Sequence, residues 1–151
     1  MDITSNIPFV IGNILAKFRE LGNPETVSRA AALAVLPELK YRIHTSGKKT
    51  DGSKIGTYSN SYLKIRQSQY NRTADSTVIA SLTRQLEGAY TLKATEKGYT
   101  IDNLGNTIEN DSKTKTEYLT EKYGEIWALS ERELEMTQIV AQETALIIMN
   151  K

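Results

Sequence analysis

The sequence predicts an α+β domain in which a small antiparallel sheet, built on one hairpin, is covered by N-terminal and C-terminal helices and carries long projecting loops. Three observations lead to that class. Apolar residues recur at helical spacing near both ends of the chain; residues 90–103 alternate apolar and polar side chains about a tight turn; and the stretches between are polar and rich in turn-forming residues.

At the N-terminal end Ile3, Ile7, Val10, Ile11, Ile14, Leu15, Phe18 and Leu21 step by three and four, which places them on one helical stripe that Gly22 stops. Asn23-Pro24 reads as a cap and a first-turn proline for a second helix, in which Val27, Ala30, Ala31, Ala34, Val35 and Leu36 offer a small-residue face for close packing. Pro37 is expected either to kink that helix or to open a last turn through Leu39, Tyr41 and Ile43.

Residues 44–61 read as a long loop, with Gly47, Asp51-Gly52 and Gly56 as turn residues, and 61–76 continue it without a clear period. The run Val78 to Leu86 looks helical, with Gly88 as its stop. Tyr90, Leu92 and Ala94 then alternate with Thr91, Lys93 and Thr95, and Glu96-Lys97-Gly98 turns the chain into Tyr99, Ile101 and Asn103. Leu104-Gly105-Asn106 is a further turn and Asn110–Thr116 a polar loop; Glu117–Tyr123 forms a short helix closed by Gly124. Ser130-Glu131-Arg132-Glu133 matches a capping box opening a last helix towards Met149. Leu134, Ile139, Val140, Leu146 and Ile147 are its expected core positions, and Trp127 is read as a core anchor just before it.

With 151 residues the chain suits a single domain, with residues 1–22 as an N-terminal helix able to stand off as an arm and 44–76 as a long basic loop region. It has no cysteine, which removes disulfide frameworks, thiolate metal sites and cysteine nucleophiles together. No run approaches the roughly 18 apolar residues of a membrane span, and the first apolar stretch lacks the charged start of a signal peptide. A soluble protein made in a reducing compartment is the expectation, so the sequon Asn71-Arg72-Thr73 carries no weight.

The formal net charge is +1, yet the charges are segregated. Residues 40–72 hold eight cations and one anion, a net +7, while 96–143 hold eleven carboxylates and five cations, a net −6. Such a division fits a polyanionic partner, or self-association between unlike faces. The basic candidates for subunit or DNA-channel contact are Lys48, Lys49, Lys54, Lys64, Arg66 and Arg72. The acidic counter-face candidates are Glu117, Glu121, Glu125, Glu131 and Glu135.

Catalytic signals are sparse. His44 is the single histidine, so any Ser-His-Asp chemistry must use it, and no Ser or Asp is marked as its partner. There is no metal-ligand spacing and no glycine-rich phosphate loop, and no catalytic residue, metal or cofactor is expected. Tyr41, Tyr58, Tyr62 and Tyr70 interleave with the cations of Lys40–Arg72, a pattern able to touch phosphates and stack bases.

An Arg42-Ile43 pair at the end of a helix, the Gly- and Asp-Gly-bearing stretch TSGKKTDGSKIGTYS at 45–59, and Leu82-Thr83-Arg84-Gln85-Leu86 before the hairpin of 89–103 follow one another here. Tyr118, Gly124, the apolar Ile126-Trp127-Ala128-Leu129 and the Ser-capped Ser130-Glu131-Arg132-Glu133 then lead into a closing helix. Over roughly residues 25–148 this order resembles the tail-completion, or virion morphogenesis, proteins of tailed bacteriophages. The resemblance implies a non-enzymatic virion subunit, assembled in the host cytoplasm, that forms a homo-oligomeric ring, hexamer or dodecamer, at the neck or tail end. Its implied partners are portal or connector and tail proteins, with packaged DNA as a non-specific neighbour. Two other readings stand beside it: a small nucleic-acid-binding protein using Lys40–Arg72, and a hydrolase centred on His44 or a carboxylate pair. The long 44–61 and 104–116 loops are expected to project and to order on neighbours.

Overall fold

The computed structural model describes Ala16, Lys17, Arg19 and residues 24–72, 75–81, 85–96, 98–103 and 114–150. Its elements are α1 (Pro24–His44), α2 (Asn60–Tyr70), the single turn α3 (Gln85–Gly88), β1 (Tyr90–Thr95), β2 (Gly98–Asn103), α4 (Lys115–Tyr123) and α5 (Glu131–Asn150). The chain is α+β, with one two-stranded antiparallel sheet. Most of the expected first helix, the 104–106 turn, the 110–113 loop and Leu82-Thr83-Arg84 lie outside the described residues. Ala16, Lys17 and Arg19 are helical, and the Lys17 ammonium donates to the Met149 carbonyl at 2.8 Å.

α1 is the element that packs on both the hairpin and α5. Ala31, Val35, Leu39 and Ile43 recur every fourth residue and are buried, and Ala32 lies beside them. The alanines let neighbouring backbones approach closely. Pro37 does not end the helix, which runs on to His44. Both Pro37 and Leu33, whose carbonyl the proline leaves without its helical donor, are exposed, so water can serve that oxygen.

The 44–59 segment does not project. Ile55 is buried in the core formed by Leu39, Ile43, Val78, Ala80 and Ile126. Lys49 N donates to Ser53 O at 2.8 Å and Gly52 N to Lys49 O at 3.0 Å, while Lys48 and Lys54 form an antiparallel bridge, so the basic stretch is a tight hairpin-like turn. The Asp51 carboxylate accepts from Ser53 N at 2.9 Å and Ser53 Oγ at 2.6 Å, and these hydrogen bonds, first that from the hydroxyl, lower its pKa.

Two expected elements are corrected. Residues 60–70, read as loop, form α2, capped by Ser59 at its start and by Asn71 in the left-handed conformation at its end. Its one buried side chain is Arg66, so no apolar stripe announced it. Conversely, 77–81 are extended rather than helical: Thr77 bridges Thr57, Val78 N donates to Gly56 O at 2.9 Å, and among the described residues of this stretch the helical turn is Gln85–Gly88. An alternating Val-Ile-Ala stretch fits a strand as well as a helix when it is this short.

The expected antiparallel hairpin is present, with Leu92 opposite Ile101; Gly98, expected in the turn, instead opens β2 opposite Thr95. α4 starts two residues before its expected start because Thr114 and Glu117 make a capping box. α5 starts at the expected box: Ser130 N donates to Glu133 Oε2 at 2.8 Å and Glu133 N to Ser130 Oγ at 3.4 Å.

Candidate functional site

Three surface or near-surface features concentrate chemistry: the outer face of α5, the basic turn, and a cleft over α2. The first two share a frame held by Arg42, in the last turn of α1. Its Nε donates to Glu133 Oε1 at 2.9 Å, Nη1 to the carbonyls of Lys48 and Ile126, both at 3.1 Å, and Nη2 to the Ala128 carbonyl at 2.7 Å. One buried guanidinium thus ties α1, the basic turn, the 126–128 stretch and α5 together. Arg42 and Glu133 belong to the basic and acidic blocks of the sequence, so one charge of each is cancelled inside the fold.

His44 is buried at the end of α1. Nδ1 donates to the Ala80 carbonyl at 2.9 Å, leaving Nε2 to accept from the Tyr90 hydroxyl at 2.9 Å. Burial lowers its pKa, only partly offset by the Ala80 hydrogen bond and the Glu87 charge. The Tyr90 ring meets it edge-on at 5.6 Å and Trp127 lies at 6.3 Å. Both ring nitrogens therefore have structural partners. Trp127 packs against the core and anchors its own indole N–H on Thr120 Oγ1 at 3.0 Å.

α5 carries apolar residues on two sides. Glu133 and Ile148 are buried on the inner side. Of the expected core positions Val140 is half-buried, but Leu134, Ile139, Leu146 and Ile147 are exposed, Ile139 by 54% and Leu146 by 61%. Glu135, Ile139, Gln142, Leu146 and Met149 follow one another by four, three, four and three residues, all exposed, which is the spacing of a helix–helix seam. The correction has a simple cause: with apolar residues on both sides, periodicity cannot say which side faces the core.

Lys48, Lys54 and Lys64 are exposed, Lys49 and Arg72 half-buried, and the bridge sets Lys48 beside Lys54. Arg66 is the exception, at 2% exposure. Of the acidic candidates, Glu117 is spent on the α4 cap, and Glu125 accepts from the backbone N–H groups of Trp127 and Ala128, each at 3.0 Å. Glu131 and Glu135 stand exposed on α5, and Glu121 lines the cleft.

That cleft, of about 870 Å³, lies between α2, the extended 77–81 segment and α4. Arg66 forms part of its wall, its guanidinium 4.4 Å from the centre of the Tyr58 ring and 5.9 Å from that of Tyr62. Nη2 donates to the Ser81 carbonyl at 2.9 Å, whereas Nε is buried without a hydrogen-bond partner. Sequence reading put Arg66 among surface cations; the Tyr58 and Tyr62 spacing on either side of Ser59 was the available sign that a cation there is sandwiched rather than solvated.

No group of three or more His, Asp or Glu among the described residues is placed to hold a metal, and no described helix is long and apolar enough to cross a membrane. No family model, no curated protein and no solved structure matches the chain.

Proposed function

We propose that this chain is a structural assembly subunit, in a tailed phage a neck or tail-completion protein that forms a homo-oligomeric ring between the portal side of the head and the tail. The observation that carries the reading is the outer face of α5: an apolar seam in which Ile139 and Leu146 are more than half exposed, flanked by the carboxylates of Glu131 and Glu135. A single copy gains nothing from exposing such a stripe on a helix whose other side already packs on α1; a neighbouring subunit would cover it. The order of motifs from Arg42-Ile43 to the Ser130–Glu133 box supplies the phage context. In this reading the work is done by contacts with neighbours, and the assembled virion neck is where the protein resides.

Sedimentation of the isolated chain across concentration and salt tests the proposal. The expected result is a mass above 16.9 kDa that grows with concentration, with annular particles in electron micrographs at the highest concentrations. A strict monomer throughout would remove homo-oligomerisation from the reading.

A nucleic-acid-binding reading is favoured by one observation, the pairing of exposed Lys48 and Lys54 across the basic turn. Binding to duplex or single-stranded DNA that falls steeply with salt, and is lost when Lys48, Lys49 and Lys54 are neutralised together, is its test.

A further inference from the structure

We infer that the cleft over α2 is a docking site for the outer face of α5 from a second copy of this chain, with Arg66 as the cation that receives the Glu135 carboxylate. This rests on the assembly reading and gives it an address.

The cleft holds a buried cation with no ion-pair partner among the described residues. Arg66 is 2% exposed, and among the described residues the ion pairs are Arg42–Glu133 and Lys93–Asp102, so no described carboxylate lies at ion-pair distance from it. Tyr58 and Tyr62 stack on the guanidinium and the Ser81 carbonyl takes one N–H, but Nε has no partner. A guanidinium removed from water with a donor unused is costly unless an anion arrives. The surrounding wall, with Val78, Leu119 and the Tyr58, Tyr62 and Tyr123 rings, accepts aliphatic side chains. Lys115 and Lys122 stand on the α4 side together with Glu121.

The α5 face has the opposite requirement. Glu135 precedes Ile139 by one helical turn, and both are exposed. It therefore presents a carboxylate followed by aliphatic side chains that lack cover, while the cleft presents a cation that lacks an anion beside an apolar wall. A single carboxylate suits one guanidinium better than a phosphate chain, which calls for several cations along its path. The two surfaces are different parts of one chain, so the contact is heterologous, the kind from which rings close.

The experiment measures self-association of the full chain by sedimentation for wild type, Glu135→Lys, Lys122→Glu and the double variant. Glu135 and Lys122 are exposed, so the substitutions leave the fold intact, which circular dichroism verifies. Expected are association by wild type, weakening on the order of tenfold in each single variant, and no recovery in the double variant, where Arg66 still faces the ammonium introduced at position 135. An Arg66→Gln chain with native dichroism is expected to associate no better than the single variants. If wild type associates and the single variants match it, the contact lies elsewhere; the docking inference falls and the assembly reading stands. If Lys122→Glu weakens association and Glu135→Lys does not, another acidic segment fills the cleft and the named occupant is wrong. A wild-type monomer at every concentration overturns both.

Discussion

Arg42 and Glu133, 91 positions apart, meet at 2.9 Å in the interior, and the same carboxylate caps α5 through Ser130. The pair therefore joins the end of the central helix to the start of the terminal one. Arg42→Ala would leave a buried carboxylate without its cation and the Lys48, Ile126 and Ala128 carbonyls without their donor. A loss of about 3–5 kcal/mol is expected by urea unfolding followed through the single Trp127. Glu133→Gln keeps an oxygen for the cap and removes the charge, so a smaller loss of about 1–3 kcal/mol is expected. Equal losses in the two variants would show that the ion pair rather than the carbonyl clamp dominates.

Gly47 and Gly52 offer an internal comparison within the basic turn. Both have positive φ, +61° and +82°, so alanine at either meets backbone strain of about 1–2 kcal/mol. A Cβ at Gly47 would also lie 2.5 Å from the Val78 carbonyl and 2.8 Å from the Thr77 methyl, whereas at Gly52 nothing lies within 4 Å. Gly47→Ala is expected to destabilise clearly more than Gly52→Ala in thermal melts. A reversed order would mean that the 77–81 segment yields easily and does not pin the turn.

The parts of the fold legible in the sequence were those with local signatures. The hairpin, the Ser130–Glu133 box and the α1 stripe each follow from residues within about one turn of one another. The remainder depended on partners distant in the chain. α2 is held by an arginine that reaches Ser81, 15 positions on, and has no apolar period to display. The 44–59 stretch looks like a free loop because Ile55 is its lone buried aliphatic residue. On α5 the sequence showed an apolar helix but not its orientation, since Ile148 faces in and Ile147 faces out. Segregated charge was visible at once, but its meaning changed when Arg42 and Glu133 proved to neutralise each other and Arg66 proved to be buried.

His44 makes folding depend on pH. Burial holds its folded-state pKa below the ordinary 6.5, so between those two values the unfolded chain binds the extra proton. Its contribution is fully present above about pH 6.5 and is lost as pH falls through the folded-state value. The chain is therefore expected to melt at a lower temperature at about pH 5.5 than at about pH 7.5, and His44→Gln to flatten that difference. As the single histidine, it also gives one imidazole resonance whose titration midpoint should lie below 6.5. A midpoint above 6.5 would contradict a neutral ring that accepts from Tyr90.

The two sides of α5 and its neighbour α1 separate folding from assembly. Ile43→Ala removes methyl groups from a position with 0% exposure, and a loss of about 2–5 kcal/mol is expected. Leu146→Glu places a charge where the native side chain is 61% exposed, and its effect on unfolding should stay within about 0.5 kcal/mol. Stability is thus indifferent to Leu146 in the single copy. Association is not: a carboxylate in the middle of the seam between Gln142 and Met149 would be desolvated against an apolar wall on contact, and the mass at high concentration should fall back towards 16.9 kDa. A Leu146→Glu chain that unfolds at markedly lower denaturant would instead mean that this side of α5 is covered within the subunit, and the stripe would lose its standing as a surface for neighbours.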